Sequence, residues 1–434
     1  MITFNNKTQE EINRLIEIGK KYRDSVLSES LLSDVLQSLK NDPETMEKTK
    51  KFLLSQGIEV VPSLFDVEEM EDDEAAESGN QIKPYDPSQI DISPKNQSLD
   101  LLLNRVENEE IDLMPDFQRK AGLWAPKQKS QLIESLILRI PLPAFYFDGT
   151  DNDKWIVIDG LQRLTALKEF FIDKTLRLTG LEFLKDLEGL GCADMPKVYL
   201  RRMKETQVIC YIINPGAPIN LKYNIFKRIN TGGLHLEPQE IRHALYQGFA
   251  TNYLKKLSDN DTFKRVTGYS VPTDRMMDRE FVLRFIAFYE LGVDKYDGIV
   301  DDFLNAAMAL INKKYKNDPI YADALEQKFL FVLETSEKIF GRFAFRRMPD
   351  KEKRRTMSKA LFETWTAVLA KHSNEDLDKL VLKREYLVEK YMPMFTEDEE
   401  FYNSIGSGKI YSVRKRFEKI ESLVAEVLNY AYFH

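Results

Sequence analysis

The chain has 434 residues, and its 62 basic and 70 acidic side chains give a net charge of −8. Hydrophobic residues make up 43% and charged residues 30%, which is ordinary for a soluble globular protein and leaves room for two or three domains. The two cysteines, Cys192 and Cys210, exclude a disulfide or cysteine-metal framework and fit a reducing cytosol. No apolar run approaches the length of a membrane span, and the polar start Met1–Asn6 is unlike a signal peptide. We therefore expect a cytoplasmic protein with no membrane partner.

The acidic side chains are unevenly placed along the chain. Eight carboxylates and no Lys or Arg lie between Asp66 and Glu77, and without them 62 acidic residues balance 62 basic ones. Net charge therefore argues neither for nor against a nucleic-acid partner.

Residues 1–63 have apolar side chains at helical spacing, which predicts a small helical N-terminal domain. It closes with Gln56-Gly-Ile-Glu-Val-Val61, and an acidic linker, residues 64–89, follows. Short helices leading to this hexapeptide and an acidic tract resemble region 1.1 of housekeeping bacterial sigma factors. The resemblance implies a mobile, acidic accessory domain that masks a basic groove. The alternative is a small helical bundle followed by a solvated acidic linker.

The main domain is predicted to span residues 90–250, opening at Ile90-Asp-Ile-Ser93, and to contain a helix at Ser98–Val106. A loop then carries Gln118 and Arg119 between two aromatic residues. Their amide and guanidinium groups suit oxyanion binding, and solvation of a polar surface is the alternative.

The stretch Trp155–Leu167 carries the strongest functional signal. A helix at Pro126–Arg139 and a hairpin with strands at Ala144–Phe147 and Trp155–Ile158 are predicted around it. Asp159-Gly160 ends the second strand, and a helical pattern begins there.

A strand that turns through Asp-Gly into a helix concentrates free N–H groups and a partial positive charge at one point. Gly160 lets a phosphate approach the backbone, and Gln162 and Arg163 lie in the first helical turn. The pattern predicts a site for a phosphate-bearing ligand such as a nucleotide. The alternative is a junction that carries Asp-Gly for structural reasons alone.

A glycine-rich loop is predicted after a strand at Gln207–Ile213 and a helix at Leu221–Ile229. Its backbone N–H groups are able to face an anion, whereas the alternative is a simple Gly-Gly helix stop. This loop consists of Asn230, Thr231, Gly232 and Gly233. The helix that starts at Pro238 is predicted to bury Ile241, Ala244 and Leu245 and to turn Glu240, Arg242 and His243 elsewhere.

Residues 251–434 are predicted to form a large all-α C-terminal domain, because long amphipathic stretches follow one another there. Examples are Arg279–Leu291, Ala322–Ile339, Ser358–Ala370 and Val413–Leu428. Basic clusters in these helices indicate a DNA or phosphate surface, or alternatively solvated helix faces. The clusters comprise Arg342, Arg346, Arg347, Lys351, Lys353, Arg354 and Arg355, and Lys409, Arg414, Lys415, Arg416 and Lys419.

The chain contains four separate sequence motifs in the following order. They are Pro-Asp-Phe-Gln-Arg (115–119), Leu-Ile-Glu-Ser-Leu-Ile-Leu with Ile-Pro-Leu-Pro (132–143), Ile-Asp-Gly-Leu-Gln-Arg-Leu-Thr-Ala-Leu (158–167), and Phe-Lys-Arg-Ile-Asn-Thr-Gly-Gly with Leu-Glu-Pro-Gln-Glu-Ile-Arg-His-Ala-Leu (226–245). Together they closely resemble the N-terminal domain of GmrSD-type modification-dependent restriction proteins, the family called domain of unknown function 262. The C-terminal helices also resemble the helical tail common in that family.

The resemblance implies an α+β chain with a ParB/sulfiredoxin-like core domain. The family's Asp-Gly-Gln-Gln-Arg signature is tied to NTP binding and hydrolysis in phage-defence proteins, and Leu161 replaces its first Gln here. The residues that match the family's motifs are Gln118, Arg119, Asp159, Gly160, Gln162, Arg163, Asn230, Thr231 and Gly233.

The matched residues have distinct expected roles. Arg119 and Arg163 would hold phosphates and offset charge in a phosphoryl-transfer transition state. Asp159 would hold Mg²⁺ through water or orient the attacking water, which Gln162 would also position. Asp159, Gln162 and Arg163 are therefore the predicted catalytic residues.

Three functions stay open at this point. The first is an NTP-binding, NTP-hydrolysing sensor or regulatory protein of a bacterial antiphage or restriction system, acting with a partner subunit or as a homo-oligomer. The second is a nuclease that uses the same pocket. The third is a non-catalytic module that binds DNA or protein through its basic helices. Many relatives carry a His-Asn-His nuclease domain, but the four histidines of this chain form no such cluster, so DNA cutting would need a partner nuclease or the ParB-like site.

Overall fold

A computed structural model describes residues 6–22, 26–28, 31–32, 35–36, 43–61, 92–113, 124–150, 153–214, 216, 218–229, 236–273, 275–352 and 355–430. The chain divides into two compact units, Ile82–Leu245 and the combination of Met1–Gln81 with Tyr246–His434. The four-part division expected from the sequence stays a prediction.

The N-terminal segment combines helices with a short parallel strand pair. Its elements are α1 (Asn6–Tyr22), β1 (Val26–Ser28), α2 (Pro43–Ser55) and β2 (Glu59–Val61). β1 pairs with β2 from Val26 opposite Glu59 to Ser28 opposite Val61. The sequence predicted helices alone, because three-residue strands are too short to show a period-2 pattern.

The Ile82–Leu245 unit is built on a five-stranded sheet. Its elements are β3 (Ile92–Ser98), α3 (Leu99–Glu107), β4 (Ile111–Asp112), α4 (Pro126–Ile137), β5 (Phe145–Asp148), β6 (Trp155–Asp159), α5 (Leu161–Phe171), α6 (Lys197–Lys204), β7 (Gln207–Ile213), α7 (Ile219–Ile229) and α8 (Pro238–Leu245). The strand order is β3-β7-β5-β6-β4. β3–β7 and β5–β6 run antiparallel, and β5–β7 and β4–β6 run parallel, so the sheet is mixed.

One face of this sheet is the core face. On β7, Val208, Cys210 and Ile212 are buried among the apolar side chains of α3, α4 and α5, whereas Ile209 between them is 44% exposed. This alternation follows from the period of two residues along a strand. The mixed five-stranded sheet and the helices of the chain confirm the predicted α+β class.

The hairpin, the β7 strand and the helices α3, α4, α5, α7 and α8 were predicted correctly to within a few residues, whereas α6 was not predicted. β3 and β4 were not predicted. β3 contains Pro94, Lys95 and Asn96, which are poor strand formers, and it lies at the edge of the sheet, where such residues are tolerated. β4 has only two residues.

The segment from Tyr246 onward is helical, as predicted. Its α-helices are α9 (Phe249–Asp259), α10 (Asp261–Val266), α11 (Met277–Glu290), α12 (Val300–Leu310), α13 (Pro319–Phe340), α14 (Lys359–Ala370), α15 (Asn374–Leu382), α16 (Arg384–Tyr391), α17 (Glu399–Ile405) and α18 (Ile410–Asn429). Among the residues that the structure describes, no helix combines the length and apolar character needed to cross a membrane.

Several charged residues expected at the surface are buried. Glu240 and Arg242 are interior residues of α8. Arg346 donates hydrogen bonds to the carbonyls of Ala344 (2.8 Å) and Thr267 (2.7 Å), and Arg416 is buried beside Glu363. Helical spacing of apolar residues does not reveal charged side chains that find buried partners, so these predictions were wrong.

Candidate functional site

Gly160 forms the turn between β6 and α5. It has φ +101° and occupies the N-cap position of α5. A Cβ atom at this position would lie 2.5 Å from Cδ1 of Phe145 on the neighbouring strand. Both the backbone conformation and the close approach require glycine. Because glycine has no capping side chain, the first-turn N–H groups of α5 receive no cap from it.

The buried Arg163 side chain stabilises this turn through hydrogen bonds. Its Nη2 donates to Asp159 Oδ2 at 2.7 Å and to the Ala144 carbonyl at 3.2 Å. Its Nη1 donates to the Pro143 carbonyl. The guanidinium lies over the Phe145 ring, 4.6 Å from its centroid, and the side chain is 9% exposed.

Burial lowers the pKa of Arg163, and the neighbouring Asp159 carboxylate opposes that change. The group stays cationic at neutral pH, because an arginine pKa starts far above it. Arg163 therefore combines a structural role with a charge next to the turn.

Gln162 contacts the chain just before α4. Its Oε1 accepts a hydrogen bond from the Trp124 backbone N–H at 3.2 Å. Gln162, which was predicted to position water, thus holds Trp124, the first described residue after the 114–123 segment. Gln118 and Arg119 lie in that segment, which is outside the described residues. Asn230, Thr231 and Gly233 of the glycine-rich loop are also outside the described residues. Their predicted roles stay predictions.

A buried ion pair fixes α7 to the sheet. Lys222 Nζ donates to both carboxylate oxygens of Asp148, at 2.8 and 3.0 Å, and also to the Thr150 hydroxyl. The two charged side chains are 6% and 7% exposed. The helix that leads into the predicted glycine-rich loop is therefore attached to the end of β5.

A β-bulge brings Tyr146 next to Asp159. The register between β5 and β6 shifts between Tyr146 and Phe147, so that Tyr146 pairs with Asp159 whereas Phe147 pairs with Val157. Burial raises the pKa of Tyr146, and the nearby Tyr211 and Asp159 raise it further. Bulges commonly redirect a side chain beside a functional site. Sequence reasoning missed Tyr146, although its strand stood out as Ala144-Phe-Tyr-Phe147.

Asp159 is the predicted Mg²⁺ ligand. Within the described ranges, no three His, Cys, Asp or Glu side chains are grouped so that they could hold a metal ion. One carboxylate is still enough where phosphates and water supply the other ligands, as is common for Mg²⁺. The residues present fit a metal that arrives with phosphates better than a permanent metal centre.

Two family models match the chain. Residues 99–247 match the GmrSD restriction endonuclease N-terminal domain, and residues 6–83 match region 1.1 of the sigma-70 factor. Both resemblances inferred from the sequence are thereby confirmed over these ranges. No curated protein and no solved structure matches the chain. The first matched range contains the whole turn from Asp159 to Arg163.

Proposed function

We propose that the chain is a nucleotide-binding, NTP-hydrolysing sensor or regulatory protein of a restriction-type antiphage system, with a ParB/sulfiredoxin-like core. The observation that carries this proposal is the Asp159-Gly160 turn, in which a helix N-terminus with no side-chain cap from Gly160 and a buried arginine meet inside the GmrSD-type domain. Partner subunits, a partner nuclease and self-association belong to the same proposal as the context in which such a regulator would act.

The proposed chemistry uses the groups of the turn. The N–H groups of the first turn of α5 and the Arg163 guanidinium attract phosphate oxygens. A phosphate oxygen replaces Asp159 at Arg163 Nη2. The released Asp159 carboxylate would be the group that holds Mg²⁺ through water. Alternatively, it accepts the proton of a water whose oxygen bonds to the terminal phosphorus as the bond to the leaving diphosphate breaks.

Thermal shift and phosphate release with ATP, GTP, CTP and UTP, each with and without Mg²⁺, test the proposal. We expect one or more nucleotides to raise the melting temperature of the wild type. Arg163→Ala should lose this stabilisation. Asp159→Asn keeps the shape of the side chain and removes its competition for Arg163, so it should bind at least as tightly but release phosphate about 100-fold more slowly.

Lys168→Ala is the matched control, because Lys168 lies on the same helix and pairs with the exposed Asp173. It should behave like the wild type. If no nucleotide stabilises the wild type, the proposal is lost. Plasmid nicking with a divalent metal and no nucleotide would favour the nuclease, and salt-sensitive DNA binding unaffected by changes at Asp159 and Arg163 would favour the binding module.

A further inference from the structure

Two tyrosines stand side by side on the sheet face that is opposite to the core. Phe145 and Phe147 on β5 point into the core, so Tyr146 between them points to the other face. The same alternation on β7 turns Tyr211 to that face. The two rings are stacked, with centroids 4.9 Å apart and planes 17° apart.

The tyrosines belong to one row that crosses the sheet. Pro94 of β3 pairs with Tyr211, Tyr211 with Tyr146, and Tyr146 with Asp159. Two strand spacings, roughly 10 Å, separate Tyr211 from Asp159. The row therefore leads from a pair of aromatic rings to the carboxylate that is bound to Arg163.

Both tyrosine side chains are half-buried, and Ile209, on the same face of β7, is 44% exposed. Aromatic rings that remain accessible on a sheet face are the groups on which nucleic-acid bases stack in several sheet-based binding domains. A cross-strand pair also stabilises a sheet, but that role does not require the rings to stay accessible.

We propose that Tyr146 and Tyr211 form a stacking platform for the base of the nucleotide whose phosphates bind at the Gly160 turn. This inference rests on the proposed function and adds the base-binding half of the site. Stacking depends on the ring face and hardly on the identity of the base, so the platform tolerates more than one nucleotide. The tyrosine hydroxyls are not needed for it.

The test compares nucleotides with tripolyphosphate, which lacks a base. Binding is measured by calorimetry for the best-binding nucleotide of the four and for tripolyphosphate. Tyr146→Leu and Tyr211→Leu should each weaken nucleotide binding about 10-fold and leave tripolyphosphate binding unchanged. Tyr146→Phe should retain wild-type affinity for both. Tyr402→Leu, at a 43% exposed tyrosine of the other unit, is the control.

Each outcome separates this inference from the proposed function. If no nucleotide binds the wild type, both fail together. If nucleotides bind but the leucine variants bind them equally well, or lose tripolyphosphate to the same degree, the platform is wrong and the phosphate site stands. Photo-crosslinking of the wild type with 8-azido-ATP needs no variant. Labelling of the Tyr146 or Tyr211 peptide is expected, and labelling of other peptides alone would overturn the inference.

Discussion

Gly160 and Arg163 show how single residues determine the turn. Gly160 permits the left-handed backbone and the approach of Phe145, and the same ring then supports the Arg163 guanidinium. The glycine of the Asp-Gly pair is thus a structural requirement of the turn, which leaves room for the proposed phosphate-binding role. The two interpretations that the sequence left open are compatible.

Gly160→Ala should destabilise the protein more than a comparable glycine replacement. The added Cβ combines a positive φ, which costs on the order of 1 kcal/mol, with a collision against Phe145 that raises the total to roughly 3 kcal/mol. Gly189→Ala is the control, since Gly189 has φ +81° and no neighbouring atom lies within 4 Å of the place where its Cβ would be. Urea unfolding of both variants measures the difference, and equal losses would contradict the role of the collision.

Asp278 is a buried carboxyl near the start of α11. Burial raises its pKa from 3.8 to about 6, although a hydrogen bond from Ser258 and the charge of Arg279 act in the opposite direction. Asp259 adds to the increase. Oδ1 of Asp278 is buried without a hydrogen-bond partner.

Because the pKa of Asp278 is raised on folding, the neutral carboxyl favours the folded state, and this contribution is lost as pH rises from about 4 to about 6. Asp278→Asn should therefore be more stable than the wild type at pH 7.5, by up to about 3 kcal/mol, and lose this advantage at pH 4. Denaturant unfolding at both pH values measures it. Asp378→Asn, at an exposed position, is the control. An Asp278→Asn variant less stable than the wild type at pH 7.5 would contradict this prediction.

At the scale of elements, buried charges connect the helices around α14. Glu363, 1% exposed, accepts from Arg284 of α11 at 2.9 Å and from Arg416 of α18. Arg284 also donates to Glu280 at 3.0 Å. One carboxylate thus joins three helices, and its two arginine partners have little access to water.

Glu363→Gln should cost about 3 kcal/mol, because it leaves two buried guanidinium groups with less compensating charge. Glu421→Gln is the control. Glu421 of α18 pairs with Lys371, which directly follows α14, and both side chains are more than 40% exposed. Such exposed pairs contribute no more than about 0.5 kcal/mol to the free energy of unfolding. Thermal and urea unfolding compare the two variants. A similar loss in both would show that the buried pairs add nothing beyond an exposed one.

Elements with a strong period were predictable from the sequence, and elements decided by tertiary contacts were not. β7 and α4 follow clear apolar patterns, whereas β3 is a strand because it pairs with β7 in spite of Pro94. The turn was recognised from Asp159-Gly160. Its neighbour Tyr146 was not, because the bulge that pairs it with Asp159 depends on the register between two strands.

At the scale of the whole molecule, part of the charge in the predicted basic clusters is engaged within the protein. Arg346 and Arg416 are interior residues, and Lys419 pairs with Asp398 at 2.7 Å. Of the described members, Lys415 also pairs with Glu418, at 3.1 Å. These four side chains therefore serve packing and local ion pairs, and DNA binding through the clusters stays a prediction.

The N-terminal segment packs on the same unit as the long helices. Its core consists of Ile12, Leu15, Ile18, Leu27, Leu31, Leu32, Leu36, Leu53 and Ile58, and Tyr269 packs against this cluster. Arg14 also lies 3.2 Å from Asp261, but both side chains are more than half exposed, so this ion pair adds little. Tyr269 is therefore one apolar contact between this segment and the part of the chain that contains the long helices.

Tyr269→Ala should loosen the segment and speed its cleavage by trypsin several-fold, because local opening then costs less than global unfolding. Cleavage within residues 6–61 is followed by mass spectrometry, while the melting temperature reports on the remaining helices. Tyr269→Phe and Asp261→Ala should stay close to the wild type, since the first keeps the ring and the second removes only an exposed charge. If wild type and Tyr269→Ala are cut equally fast, the Tyr269 ring does not hold the segment in place.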